Sequence, residues 1–192
     1  MRYRFLGNSG LQVSEICFGV MTFNSKKGWT HLGIQEQKDA DRLTAIAIEN
    51  GVNFFDTADV YSGGISETML GKALGKKRKD VVIATKGEGR MGNGPNDEGH
   101  SQQHLIKACN DSLKRLNTDY IDLYQVHSFD FMTPLEEMMS ALDQLVKDGI
   151  HRYFKFLRLA DNETDVHFGK AESSEDNIAS SILFISWKRS GI

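Results

Sequence analysis

Between residues 15 and 149, short apolar runs alternate four times with stretches of helical spacing. This alternation limits the fold more than any other feature of the chain. Strand–helix repeats of this kind bury their apolar faces as a parallel sheet wrapped by helices. EICFGV (15–20) predicts a first strand, and the stretch from Asp39 to Gly51 predicts a helix ended by a glycine cap. VNFFD (52–56) is the next strand, followed by a helix over 66–74 with Ser66 in the N-cap position. DVVIATK (80–86) is a continuous apolar run of the kind buried on both faces. A helix opened by Ser101 and closed near Asn117 follows it, then the strand DYIDLYQVH (119–127). A last helix runs from Pro134 in its first turn to Gly149 at its end. Ahead of all this, YRFLG and LQVS flank the turn NSG and predict a hairpin. An open doubly wound sheet and a (β/α)₈ barrel both satisfy this pattern, and both gather the strands' C-terminal ends on one functional rim.

Composition narrows the function classes. A net charge of −3 without a clustered basic face argues against nucleic acid. KKRKD (76–80) is the densest basic run, and its position between a helix and a strand predicts a solvated loop. Cys17 and Cys109 fit no metal spacing and are expected as buried, reduced thiols. The N-terminus lacks the apolar stretch of a signal peptide, and no segment approaches a membrane span. The expectation is a soluble, cytoplasmic protein.

Three of the predicted strands finish on a polar side chain: Asp56, Lys86 and His127. Singly, these read as a turn cap, a snorkelling lysine and a satisfied histidine. On three consecutive parallel strands they share a rim, where burial penalises each charge unless it is paired. Asp56 and Lys86 are natural partners, and Tyr61 lies in the loop that follows Asp56. A phenol is ordinarily a poor proton donor to a substrate at neutral pH, and an adjacent ammonium favours its ionised form. Tyrosine as acid, lysine as tuner, aspartate as anchor and histidine as hydrogen-bond donor suit protonation of an oxygen that gains negative charge, as in carbonyl reduction.

NFFDTADVYSGGISETMLGKAL, VVIATKG and RLNTDYIDLYQVHSFD, in that order and at that spacing, resemble the aldo-keto reductases. The resemblance covers roughly residues 2–150 and is closest to the branch of aryl-alcohol dehydrogenases and potassium-channel β subunits. It implies a (β/α)₈ barrel preceded by a β-hairpin, here incomplete with about four βα units. It implies NADPH as hydride donor, small aldehydes or ketones as substrates, and a tetrad on Asp56, Tyr61, Lys86 and His127. It also implies cofactor contacts at Gly19, Val20, Met21 and Asp56, with no metal.

Two other signals weaken on inspection. GEGRMG (87–92) matches a dinucleotide fingerprint, but NGPNDEGHS follows it instead of a helix, so it reads as a flexible rim loop near the substrate. A metal-dependent hydrolase built on Asp56, Asp59, His127 and Asp130 ranks lower, because Lys86 would repel the cation and neither H-x-H nor H-E-x-x-H is present.

Residues 1–150 therefore read as the N-terminal part of such a barrel, and 151–192 as a divergent tail, out of frame or without a fold of its own. In HRYFKFLRLAD (151–161), Arg152 and Tyr153 fit the family's fifth strand. Lys155 stands where the family has glycine, and Leu157 and Arg158 where it has a Ser-Asn pair that contacts the nicotinamide. An open barrel edge is expected to promote self-association. The sharp loss of resemblance after Gly149 predicts an altered reading frame. Sequencing the coding DNA checks it: another frame past codon 150 should encode Gly-x-Ser-Asn and further barrel units, and its absence would refute the idea.

Overall fold

In the computed structural model, the described residues are 1–7, 9–24, 35–128, 130–160, 163–169 and 183–185. Strands β1 (Tyr3–Phe5) and β2 (Gln12–Ser14) form the expected antiparallel hairpin. It is latched to the main sheet by Asn53, whose side chain accepts from Ser14 N–H at 2.7 Å and donates to the Gln12 carbonyl at 3.1 Å. Asn53 immediately precedes β4, so the hairpin sits at the N-terminal ends of the strands, opposite the rim.

The main sheet runs in the order β3 (Phe18–Gly19), β4 (Phe54–Asp56), β5 (Val82–Gly87), β6 (Ile121–Val126), β7 (His151–Ala160), β8 (Glu163–Gly169) and β9 (Leu183–Ile185). From β3 to β7 every pairing is parallel and joins sequence neighbours. A doubly wound sheet reverses its strand order at a switch point, and none occurs here. Right-handed crossovers in one direction put every helix on the same face, which is the winding of a barrel. Helices α1 (Gln37–Glu49), α2 (Ile65–Leu74), α3 (Gln102–Leu116) and α4 (Leu135–Lys147) pack side by side there. β8 and β9 then continue the sheet antiparallel, so the βα alternation ends at β7. β9 lies inside the apolar piece SILFISW.

The core lies between helices and sheet, built from Phe55, Leu70, Ile83, Leu105, Leu116, Ile121, Tyr124, Leu142 and Leu145. In α4, Met138, Ala141, Leu142 and Leu145 form a buried stripe at helical spacing. Strand alternation splits β5: Thr85 and Gly87 turn toward α2 and α3, while Lys86 turns to the opposite face. No described helix is long and apolar enough to cross a membrane.

Three local expectations are corrected. The cap of α2 is Gly64, in a left-handed conformation, while Ser66 is buried two positions further on, in the first turn, and donates to the Phe23 carbonyl at 3.0 Å. Residues Gly75–Asp80 form a 3₁₀ turn in which Arg78 is buried. Arg78 pairs with Asp122 at 2.8 Å and lies over the Tyr120 ring, so within KKRKD the lysines and Asp80 are solvated but Arg78 is not. Cys17 is exposed because the first strand begins only at Phe18; Cys109 is buried, and burial raises its thiol pKa far above the ordinary range. Ser101 does cap α3, accepting from His104 N–H, and Asn117 ends that helix in the left-handed region.

Helices α2 and α3 approach so closely at Gly71 that an added Cβ would lie 2.6 Å from the carbonyl carbon of Leu116. Gly71→Ala is expected to destabilise the fold by about 2 kcal/mol, as overpacking does. A urea midpoint equal to that of the parent chain would contradict this packing.

Candidate active site

Asp56 ends β4, Lys86 is the penultimate residue of β5, and His127 directly follows β6. Parallel register sets Asp56 opposite Ala84 and Lys86 opposite Gln125, so the three side chains climb one rim in steps. The Lys86 ammonium donates to Asp56 Oδ1 at 2.6 Å, to the Thr57 carbonyl at 2.8 Å and to the Tyr61 hydroxyl at 3.3 Å. Lys86 is only 15% exposed, so its charge acts on these partners with little screening from water. The His127 ring meets Tyr61 edge-on, with centroids 5.9 Å apart. Burial, and then the Lys86 charge, hold the His127 pKa below its ordinary value, so the imidazole is neutral at neutral pH. All four expected residues converge.

The Tyr61 turn is held at several points. Thr57 N–H donates to the Ala84 carbonyl and Asp59 N–H to the Lys86 carbonyl, stitching the chain onto β5 beyond the end of β4. Ser62, Gly63 and Gly64 then adopt positive φ in succession. For Ser62 this costs on the order of 1 kcal/mol. Its hydroxyl is held by the Phe23 carbonyl at 2.9 Å, the same oxygen that receives Ser66.

The expected cofactor contacts lie along the first barrel strand. Gly19 pairs with Asp56 and faces open space, with no atom within 4 Å of a Cβ built there. Met21 is exposed at the rim. The Val20 side chain is buried in the core, so it is the Val20 backbone, bonded to the Asp56 carbonyl, that lies along the rim. This open, glycine-floored ledge beside the tetrad fits the flat nicotinamide end of a dinucleotide. Positions 155, 157 and 158 fall in β7, parallel to β6 up to Phe156; their side chains lie outside the described structure.

The loop after β5 enters no helix before Gln102, so GEGRMG is not a dinucleotide fingerprint. It is braced across itself by the Arg90–Glu98 pair and by Asp97, which accepts from Gly94 N–H at 2.8 Å. Asp130 accepts from His100 N–H and the Thr133 hydroxyl. Among the described residues, no group of three His, Cys, Asp or Glu side chains is arranged to hold a metal.

Sequence reading missed Gln125 and weighed Asp59 only as a metal ligand. Gln125 donates to Asp56 Oδ2 at 3.1 Å, completing the anchor of Lys86; its alternation with His127 on β6 was the available signal. Asp59 is fully buried, and apart from the poorly aligned Val60 N–H neither of its oxygens has a hydrogen-bond partner among the described residues. Burial, and then the neighbouring Glu67 carboxylate, push its pKa up to about 7; the Val60 N–H and the Arg115 guanidinium oppose this only in part.

An unfolded aspartate ionises near 4, so between pH 4 and 7 the folded chain holds a proton that the unfolded chain has lost. Stability attributable to Asp59 therefore falls as pH rises through that window and reaches its full penalty above 7. Asp59→Asn is expected to be more stable than the parent at pH 8, by about 4 kcal/mol, with the gap shrinking toward pH 4. Urea melts at both pH values check this, and a pH-independent gap would mean that Asp59 is not held neutral.

Comparison with known proteins gives the family and the fold. The profile of the Aldo/keto reductase family matches residues 15–156. A probable voltage-gated potassium channel subunit beta from Oryza sativa subsp. japonica is 39% identical over 161 residues, covering 80% of this chain and 45% of that protein. A putative aryl-alcohol dehydrogenase of Saccharomyces cerevisiae is 37% identical, covering 77% of this chain and 48% of its own length. The holo form of an aldo-keto reductase from Bacillus halodurans superposes with a TM-score of 0.72 at 36% identity, over 83% of this chain and 51% of that one. The chain thus spans about half the length of the proteins it matches. It belongs to the aldo/keto reductase family.

Proposed function

We propose that this chain carries the catalytic rim of an NADPH-dependent reductase of aldehydes and ketones, with turnover impaired by its divergent tail. The observation that carries this reading is the Lys86 ammonium, held at 2.6 Å from Asp56 and 3.3 Å from the Tyr61 hydroxyl. Gly19, Met21 and the Val20 backbone would hold the nicotinamide end, with Asp56 beside the ribose. When bound, the reduced nicotinamide supplies a hydride to the carbonyl carbon. The protein supplies the rest. Neutral His127 donates a hydrogen bond that orients the carbonyl oxygen, and Tyr61 passes its proton to that oxygen as negative charge develops there. The phenolate left behind faces the Lys86 ammonium, so the site is left with a paired charge. Asp56 and Gln125 keep the lysine from following the substrate.

A second reading has its own support. Lys155, Leu157 and Arg158 stand where the family carries glycine and a Ser-Asn pair, and the chain spans about half of its relatives. On this reading the chain is a non-catalytic remnant or interaction module that keeps the tetrad without gripping NADPH, and its sheet edge favours self-association.

Titrating NADPH while following its fluorescence separates the two. Saturable binding, together with slow 4-nitrobenzaldehyde reduction that drops at least about 100-fold in Tyr61→Phe, is the expected result. No binding at millimolar cofactor would overturn the reductase reading for this chain and leave the second.

A further inference from the structure

Tyr61 and Lys86 come from different elements, and the turn that carries Tyr61 is strained, so something must fix the distance between them. We infer that the buried Glu67–Arg115 ion pair is the positioning device that sets Tyr61 against Lys86. Glu67 lies in the first turn of α2 with its side chain fully buried. One of its oxygens accepts from the Thr85 hydroxyl at 2.6 Å, and the other accepts from Arg115 Nε at 2.6 Å. Thr85 directly precedes Lys86 and points to the opposite face of β5. Glu67 therefore grips the back of the strand where the lysine leaves its front.

Arg115 carries the same constraint to the tyrosine. It reaches from α3 beneath Gly64, the last residue of the turn that Tyr61 opens. The approach is so close that a Cβ on Gly64 would lie 2.6 Å from Arg115 Cδ and 2.9 Å from Nε. Ser112 holds the far end of the guanidinium at 3.0 Å. One carboxylate thus sets both the strand under Lys86 and the platform under Tyr61.

A simpler role would be to join α2 to α3. Well-packed apolar residues do that at least as well as a buried ion pair, which must offset the desolvation of both charges. Directional bonds to Thr85 and beneath Gly64 supply a fixed geometry that apolar contacts would not.

The kinetic arm of the test rests on the reductase reading; the exchange arm does not. In the full chain, Glu67→Gln, Arg115→Met and Thr85→Val are compared by hydrogen exchange with mass spectrometry over residues 57–66, with the β1–β2 hairpin as control. Thr85→Val keeps its volume and leaves no charge unpaired, so it tests the link even if the charge variants fail to fold. Exchange across 57–66 is expected to quicken about tenfold while the hairpin is unchanged. Reduction of 4-nitrobenzaldehyde is expected to lose about 10- to 100-fold in kcat with KM nearly constant, as small misplacements of a catalytic group produce, and Arg115→Lys should restore part of it. Unchanged exchange at 57–66, or an equal rise in the hairpin, would overturn the inference. Absence of turnover in the parent chain would count against the reductase reading alone, and the exchange result would still decide this one.

Discussion

A single ammonium holds the rim together. Lys86 spends its three protons on Asp56, the Thr57 carbonyl and Tyr61, which belong to a strand end, the chain leaving it, and the turn beyond. A cation this enclosed requires a nearby carboxylate. Asp56 therefore stands where an apolar strand would otherwise exclude it, and Gln125 fixes its second oxygen. The parallel register makes this possible, because it staggers the ends of β4, β5 and β6 so that side chains of different lengths meet at one point.

Behind that front layer lies a second polar layer that stays dry. Thr85, Glu67, Ser112 and Asp59 are all fully buried. Polar groups at that depth are costly unless their partners are in place, and of these four Asp59 is the exception. Below about pH 7 the proton it retains relieves the repulsion that two carboxylates beside one guanidinium would otherwise suffer. The strained left-handed turn at 62–64 rests on this layer from below and on the Phe23 carbonyl from the side.

How much of this was legible depended on the distance over which each signal acts. The four βα units follow from local periodicity, and the helix ends at Ser101 and Asn117 from local chemistry. The rim followed from strand geometry, because Asp56, Lys86 and His127 each end a readable strand. The errors arose where tertiary contacts override local preference. Ser66 looks like a cap until Gly64 takes the left-handed position and Phe23 offers a carbonyl. Arg78 looks like one solvated charge among several until Asp122 and Tyr120, more than forty positions on, enclose it. Glu67 and Arg115 are separated by a whole strand and most of a helix, so no spacing rule connects them. The barrel winding needed the strand order, which periodicity does not contain.

The sequential order of the sheet also concentrates the site within the chain. Among the described residues, those that hydrogen-bond Lys86 and those of the layer that supports it lie between Phe23 and His127. The rim is thus encoded in one contiguous stretch of adjacent strand–helix units, within which its contacts join positions from 25 to 69 apart. The rim is in this sense a modular part, whose described residues all come from the stretch that ends one position after β6.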